Sequence, residues 1–183
     1  MENTVLSDPE LLQRARKYDH QALSQIYETY SPRLYRYAMR LLGDQNLAED
    51  CIAETFNRFL HALRDRHGPE NFLQAYLFRM AHNWITNFYQ REPSPAEELT
   101  EEHWDGQDGP EEDTHRRQRR ECIQAALQQL TPDQRQVVAL KYLDGWENEE
   151  IARSIKKLVG AVKSLQHRAL AALQRILQNE DLI

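Results

Sequence analysis

The sequence predicts an all-α protein of two small helical domains joined by an acidic, flexible linker, the second domain a helix-turn-helix. Three observations predict it. Apolar residues recur at steps of three and four through most of the 183 residues, and sustained alternation is almost absent. Charge is segregated: residues 1–91 hold 11 Lys/Arg and 11 Asp/Glu, residues 92–115 hold none and 10, and residues 116–183 hold 12 and 8. Finally, residues 130–173 read as three helical segments with little between them, ending in a basic one. That is the outline of a unit that sets its second helix in a DNA major groove.

In chain order, Ser7-Asp8-Pro9-Glu10 forms a capping box that starts a first helix. A second is expected from about His20 to Leu42, with Leu23, Ile26, Tyr27, Tyr30, Leu34 and Tyr37 among its inward residues. Ser31-Pro32 inside it predicts a kink or a break, since Pro lacks a donor and clashes with the preceding turn. Gly43 stops this helix, and Asn46 with Glu49 is expected to cap the next, which runs to about Leu63. A loop over 64–71 contains Gly68-Pro69, and a fourth helix runs from about Phe72 to Gln90. Residues 92–115 carry three prolines, two glycines and little to bury beyond Trp104, the composition of a flexible linker. The domains are therefore placed at 1–91 and 116–183.

In the second domain Thr131, Pro132 and Gln134 suit the start of a helix. Val137, Val138, Leu140, Tyr142 and Leu143 supply its apolar face, and Asp144-Gly145 ends it. A short helix follows from about Glu147, with Ile151, Ala152 and Ile155 inward. The last helix starts near Val159 and carries one stripe of Val159, Val162, Leu165, Ala169, Leu173 and Ile176. Lys163, Ser164, Gln166, His167 and Arg168 fall mostly off that stripe, where they can face phosphates or base edges. Between Glu150 and Arg175 six basic residues stand against one acid, which suggests a polyanion partner for an otherwise acidic chain.

Two cysteines, Cys51 and Cys122, do not make a disulfide framework, and both are expected to be buried free thiols. No signal peptide opens the chain and no apolar run is long enough to span a bilayer, so a cytoplasmic setting without membrane insertion is expected. The seven histidines are scattered, with no HExxH, CxxC or Gly-rich phosphate loop. No enzyme, metal or cofactor is expected.

The fourth helix interleaves aromatic and polar residues, a pattern suited to stacking unpaired bases or, equally, to core packing. Its neighbours add a resemblance. AEDCIAETFNRFL (48–60) is similar to the AED-x-x-QE-x-F segment of bacterial sigma factors. LSQIYETYSPRLYRYAMRLLGD before it and AYLFRMAHNWITNFYQR after it resemble their region two, and LTPDQRQVVALKYLDGWENEEIA with VGAVKSLQHRAL resembles region four. Two such domains without one between them look like the extracytoplasmic-function (ECF) group of sigma-70 family RNA polymerase sigma factors. The resemblance covers residues 20–91 and 120–177.

It implies a chain that binds core RNA polymerase, recognises promoter DNA and helps to open it, held in many relatives by an anti-sigma factor or other inhibitory protein. By position, Asp50, Ala53, Glu54 and Phe56 match the surface that docks on polymerase. Arg79, His82, Asn83 and Asn87 match the segment that meets melted promoter, and the 64–71 loop matches the one that captures a flipped base. The second domain matches the winged-helix-like region four. Its last helix would read the upstream element, with Lys156, Lys157, Lys163, Ser164, His167 and Arg168 on duplex DNA.

The chain departs from the pattern at several places. Ala53 replaces a usual Gln, and Asn87 a common Asp. The turn reads Ile155-Lys156-Lys157-Leu158 where Gly and a small polar cap are usual. Lys156 at positive φ costs about 1 kcal/mol, and Leu158 as an N-cap costs about as much. Leu165-Gln166 inverts the usual Arg-Leu order. Either Lys156 and Lys157 replace the missing Arg as phosphate contacts, or Leu158 and Leu165 face a protein. The second option describes a sigma-like regulator whose second domain binds a protein partner. A stand-alone dimeric helix-turn-helix regulator lacks support, because no dimerisation or ligand domain is evident.

Overall fold

The computed structural model describes residues 8–91, 119 and 122–179; Ser7 and the acidic 92–115 stretch with Trp104 lie outside the described residues. The first unit is α1 (Asp8–Ala15), α2 (His20–Leu42), α3 (Gln45–Arg64) and α4 (Leu73–Arg91). The second is a helical segment over 122–128 (α5), α6 (Pro132–Val138), α7 (Asn148–Ile155) and α8 (Val159–Asn179). A π-helical turn, Ala139–Leu143, extends α6. Among the described residues there is no strand.

In the first unit α2, α3 and α4 pack on one another and α1 packs on α2. Ile26, Leu34, Tyr37, Phe59, Leu77 and Ile85 are almost fully buried. Each such side chain contributes roughly 1.5–3 kcal/mol of burial. α2 begins at Asp19, whose carboxylate accepts from the Gln21 and Ala22 amides, and it stops at Gly43 with φ 72°. It passes Pro32 without a break. Tyr30 and Leu34 are buried on either side, so packing outweighs the lost hydrogen bond. The cap of α3 is Asp44, not Asn46: the left-handed turn at Gly43 brings its carboxylate 2.7 Å from the Leu47 amide. Tyr27 is also not a core residue; it lies at the surface, its ring 4.8 Å from that of Phe56.

In the second unit α6 and α7 pack on α8. Thr131 and Gln134 form the capping box that starts α6. The π turn is wider than an α turn and shifts the register after Ala139. Leu140 stays buried while Tyr142 is turned out to solvent. Gly145, at φ 71°, completes the stop. Lys156 ends α7 at φ 54°, the strained left-handed conformation expected of it. Leu165 is in the core, and Gln166 donates to Asn148 Oδ1 at 2.7 Å. The inverted pair therefore keeps an apolar residue inward. Leu158 alone is the exposed apolar residue of the turn, at 83%. Cys51 is buried as expected, whereas Cys122 is only half-buried.

Candidate functional site

On α8 the inward stripe of Val162, Leu165 and Ala169 leaves the opposite face free. Lys163, Ser164, His167 and Arg168 are all exposed on that face, with Lys156 and Lys157 at its entrance. Ser164 Oγ donates to the Gly160 carbonyl at 3.0 Å, and Arg168 Nε reaches the Ser164 carbonyl at 3.3 Å. Lys157 pairs with Asp133 at 3.2 Å, an exposed contact that a phosphate can displace cheaply. The six side chains thus form one exposed basic-polar surface along α8 and the turn before it.

On α3, Ala48, Cys51, Ile52, Thr55 and Phe59 face the core. Asp50 and Ala53 are exposed and Glu54 is half-exposed. Arg58 first, then Asn57, hold the Glu54 carboxyl below the usual carboxylate range. Phe56 is buried under Tyr27. Asp50 and Glu54 thus stand at the surface beside Ala53, with Phe56 buried under Tyr27, and the two carboxylates suit a basic partner.

The α4 residues divide. Arg79, Asn83 and Asn87 follow steps of four along one strip; Asn83 and Asn87 are exposed, and Arg79 lies 5.3 Å over the Tyr76 ring. His82 belongs to a different face, with Phe78, Ala81 and Ile85, and is 5% exposed. Tyr37 Oη is 2.9 Å from His82 Nδ1. With the ring neutral and its proton on Nε2, the hydroxyl donates. Burial, and then the Arg135 guanidinium, push the His82 value down to about 4.

What covers His82 is the second unit, and these contacts were not anticipated from the sequence. Trp146 packs edge-on to Phe78 at 4.8 Å. Asp144 pairs with Arg40 at 2.5 Å. Arg135 lies 4.9 Å over the Tyr89 ring and donates to the Leu127, Gln128 and Leu130 carbonyls. Gln128 donates to the Tyr89 hydroxyl at 3.2 Å, and that hydroxyl donates to the Leu41 carbonyl at 2.6 Å. Ser154 Oγ donates to the Ala75 carbonyl at 3.3 Å. A Trp just beyond a helix stop was the one available signal. The 64–71 loop is held by Arg16, which donates to the Pro69 carbonyl at 2.8 Å. Next to it Phe72 is exposed at φ 56°, with Arg153 4.5 Å over its ring.

No helix among the described residues is long and apolar enough to cross a membrane. Residues 26–94 match Sigma-70 region 2, and residues 120–173 match Sigma-70, region 4. The chain is 30% identical over 174 residues to the ECF RNA polymerase sigma factor BldN of Streptomyces coelicolor, spanning 93% of this chain and 66% of that protein. It is 29% identical to the ECF sigma factor SigX of Bacillus subtilis, over 82% of this chain and 80% of that one. With the ECF sigma factor SigL of Mycobacterium tuberculosis it shares 31% identity, over 84% and 87%. The fold is shared with CnrH, solved with the cytosolic domain of CnrY (TM-score 0.72, 22% identity, 95% of this chain and 99% of that one). It is shared too with the sigma factor RpoE of Bartonella quintana, solved with the anti-sigma factor NepR (TM-score 0.60, 22% identity, 86% and 98%). With both sigma regions in order and this identity over most of its length, the chain belongs to the ECF group of sigma-70 family RNA polymerase sigma factors.

Proposed function

We propose that the chain directs core RNA polymerase to specific promoters and helps to open the DNA, as a non-enzymatic initiation factor of the cytoplasm. In this reading residues 1–91 bind core polymerase and melted promoter, residues 116–183 bind duplex DNA, and 92–115 join them. Asp50, Ala53, Glu54 and Phe56 dock on polymerase. Arg79, Asn83 and Asn87, with His82 once uncovered, meet the melted strand. An inhibitory protein is a further expected partner, since RpoE was solved with the anti-sigma factor NepR.

The observation that carries the reading is the α8 face, where Lys163, Ser164, His167 and Arg168 stand clear of the core together. Side chains so placed reach base edges and phosphates when the helix enters a major groove. The protein-partner alternative keeps one supporting observation, exposed Leu158, and loses the other, because Leu165 is core.

The test is titration of promoter duplex with the core polymerase complex of this chain across a range of salt. Lys163→Ala and Arg168→Ala should each weaken binding about tenfold, and a lost phosphate contact should lower the salt slope by roughly 1. Unchanged affinity and slope in both variants would transfer this face to a protein partner.

A further inference from the structure

We infer that the turn between α1 and α2 is a contact for single-stranded DNA: Tyr18 stacks on a base and Lys17 meets a phosphate where the strand leaves the 64–71 loop. The inference rests on the sigma reading for what that loop does, and on the geometry of the helix stops for the turn itself.

Three helices stop in the same way. After α1 the Asp19 amide donates to the Arg14 carbonyl at 3.3 Å, after α3 the His67 amide donates to the Ala62 carbonyl at 2.9 Å, and after α7 the Lys157 amide donates to the Ala152 carbonyl at 3.0 Å. Each closure needs one left-handed residue, a place that Gly usually takes. Here it is held by Tyr18 at φ 58°, Arg66 at φ 58° and Lys156 at φ 54°. The chain does use Gly at other left-handed turns, Gly43 and Gly145. A side chain in this conformation is strained, and the core gains little from these three: Tyr18 is 45% exposed, and Arg66 and Lys156 are exposed too. Strain kept at exposed side chains is characteristic of binding and switch sites. Lys156 already stands at the edge of the α8 surface; Tyr18 and Arg66 repeat the device in the first unit.

Those two residues belong to one end of that unit. Arg16 Nη2 donates to the Pro69 carbonyl at 2.8 Å, which fastens the turn after α1 to the loop after α3. Phe72, 58% exposed at φ 56°, follows the same loop. The charges there do not cancel. Arg14 pairs with Asp19 at 2.7 Å and Arg64 with Asp65 at 3.2 Å, which leaves Arg16, Lys17 and Arg66 against Glu70. An exposed tyrosine beside uncompensated cations suits a single strand, which offers both open base faces and phosphates. Along α4, Asn87, Asn83 and Arg79 approach the loop in that order, and the α1–α2 turn is the exposed surface fastened to its far side. Capture of a flipped base by the loop unstacks that base from its neighbour, and the Tyr18 ring gives the neighbour a new face to stack on.

The test is binding of the complex of core polymerase and the full chain to forked DNA made from a promoter that the chain directs. The upstream element is kept as duplex, and the non-template overhang grows one nucleotide at a time. Wild-type affinity should rise in two steps, first at the base taken by the loop and then, roughly tenfold, at the base taken by Tyr18. Tyr18→Ala should abolish the second step and Tyr18→Phe should keep it. Lys17→Gln should lower the salt slope of the longest forks by roughly 0.7. Tyr18→Gly separates binding from strain: it should raise the melting temperature of the free chain by roughly 2–4 °C and still abolish the second step. A turn that serves only to end α1 would gain stability in that variant and lose no affinity. A wild type with one step, or a second step that survives Tyr18→Ala, would overturn the contact. Equal loss at every overhang length, with weaker binding of core polymerase, would make the turn a polymerase contact and overturn it too. A wild-type complex that binds no fork at any length would count against the sigma reading itself, and the contact would fall with it.

Discussion

Acidification should part the second unit from the first through His82, which the second unit covers. Its value is about 4 when buried, against 6.5 for an ordinary imidazole. The groups facing it are Tyr37 from α2 and, from α6, the Pro132 carbonyl, Asp133 and Arg135; burial disfavours the imidazolium most, Arg135 adds to this, and Asp133 and then the Pro132 carbonyl partly offset it. Tyr37, pushed up by its own burial, stays neutral throughout. Because the closed state has the lower value, it binds fewer protons than the open state. Closure is therefore fully stable above about pH 6.5 and weakens as pH falls, until the loss saturates below about pH 4. Taking the open ring as ordinary, a drop from about pH 7.5 to about pH 5 removes roughly 2 kcal/mol, about thirtyfold in the open-to-closed ratio. Small-angle scattering reads the radius of gyration, and circular dichroism confirms that helicity persists. The wild type should expand over that interval, and His82→Gln, which cannot titrate, should not. Expansion of both alike would trace the change to general acid unfolding, and a wild type of constant radius would refute the linkage.

Two stability predictions follow from single residues. Arg135 closes the orphan carbonyls at the end of α5 and is itself 8% exposed, so Arg135→Ala should cost about 3 kcal/mol by urea denaturation and Arg135→Lys about half that; a loss below about 1 kcal/mol would mean that water replaces the fork. Lys156→Gly relieves a left-handed residue and should stabilise the chain by about 1 kcal/mol in thermal unfolding, whereas a loss would show that the lysine stem packs usefully.

The bounds of α2 were legible because its apolar stripe, the charge at Asp19 and the stop at Gly43 all act locally. The helix-turn-helix was legible for the same reason: Thr131 caps, Gly145 turns, and the α8 stripe recurs at helical spacing. Local signals misled where two of them competed. Asn46 looks like a cap, yet the turn at Gly43 hands that role to Asp44. Pro32 argues for a break, yet burial of Tyr30 and Leu34 carries the helix through. His82 shares the step-of-three-and-four spacing of Phe78, Ala81 and Ile85, which marked it as inward. Its neighbours Arg79 and Asn83 drew it into the DNA-facing group instead. What buries it comes from the other unit, and a pair such as Arg40 and Asp144, 104 residues apart, leaves no trace in periodicity. Charge segregation showed that the second unit is basic, but not that one of its few acids turns toward α2.

The most direct test of the central claim is transcription from a promoter library by purified core RNA polymerase supplemented with this chain. Defined start sites sharing one upstream element, absent without the chain and lost with the combined Lys163→Ala and Arg168→Ala substitutions, are the predicted result. Core polymerase that binds the chain yet starts at no defined site, or that keeps the same starts with both side chains removed, would contradict it.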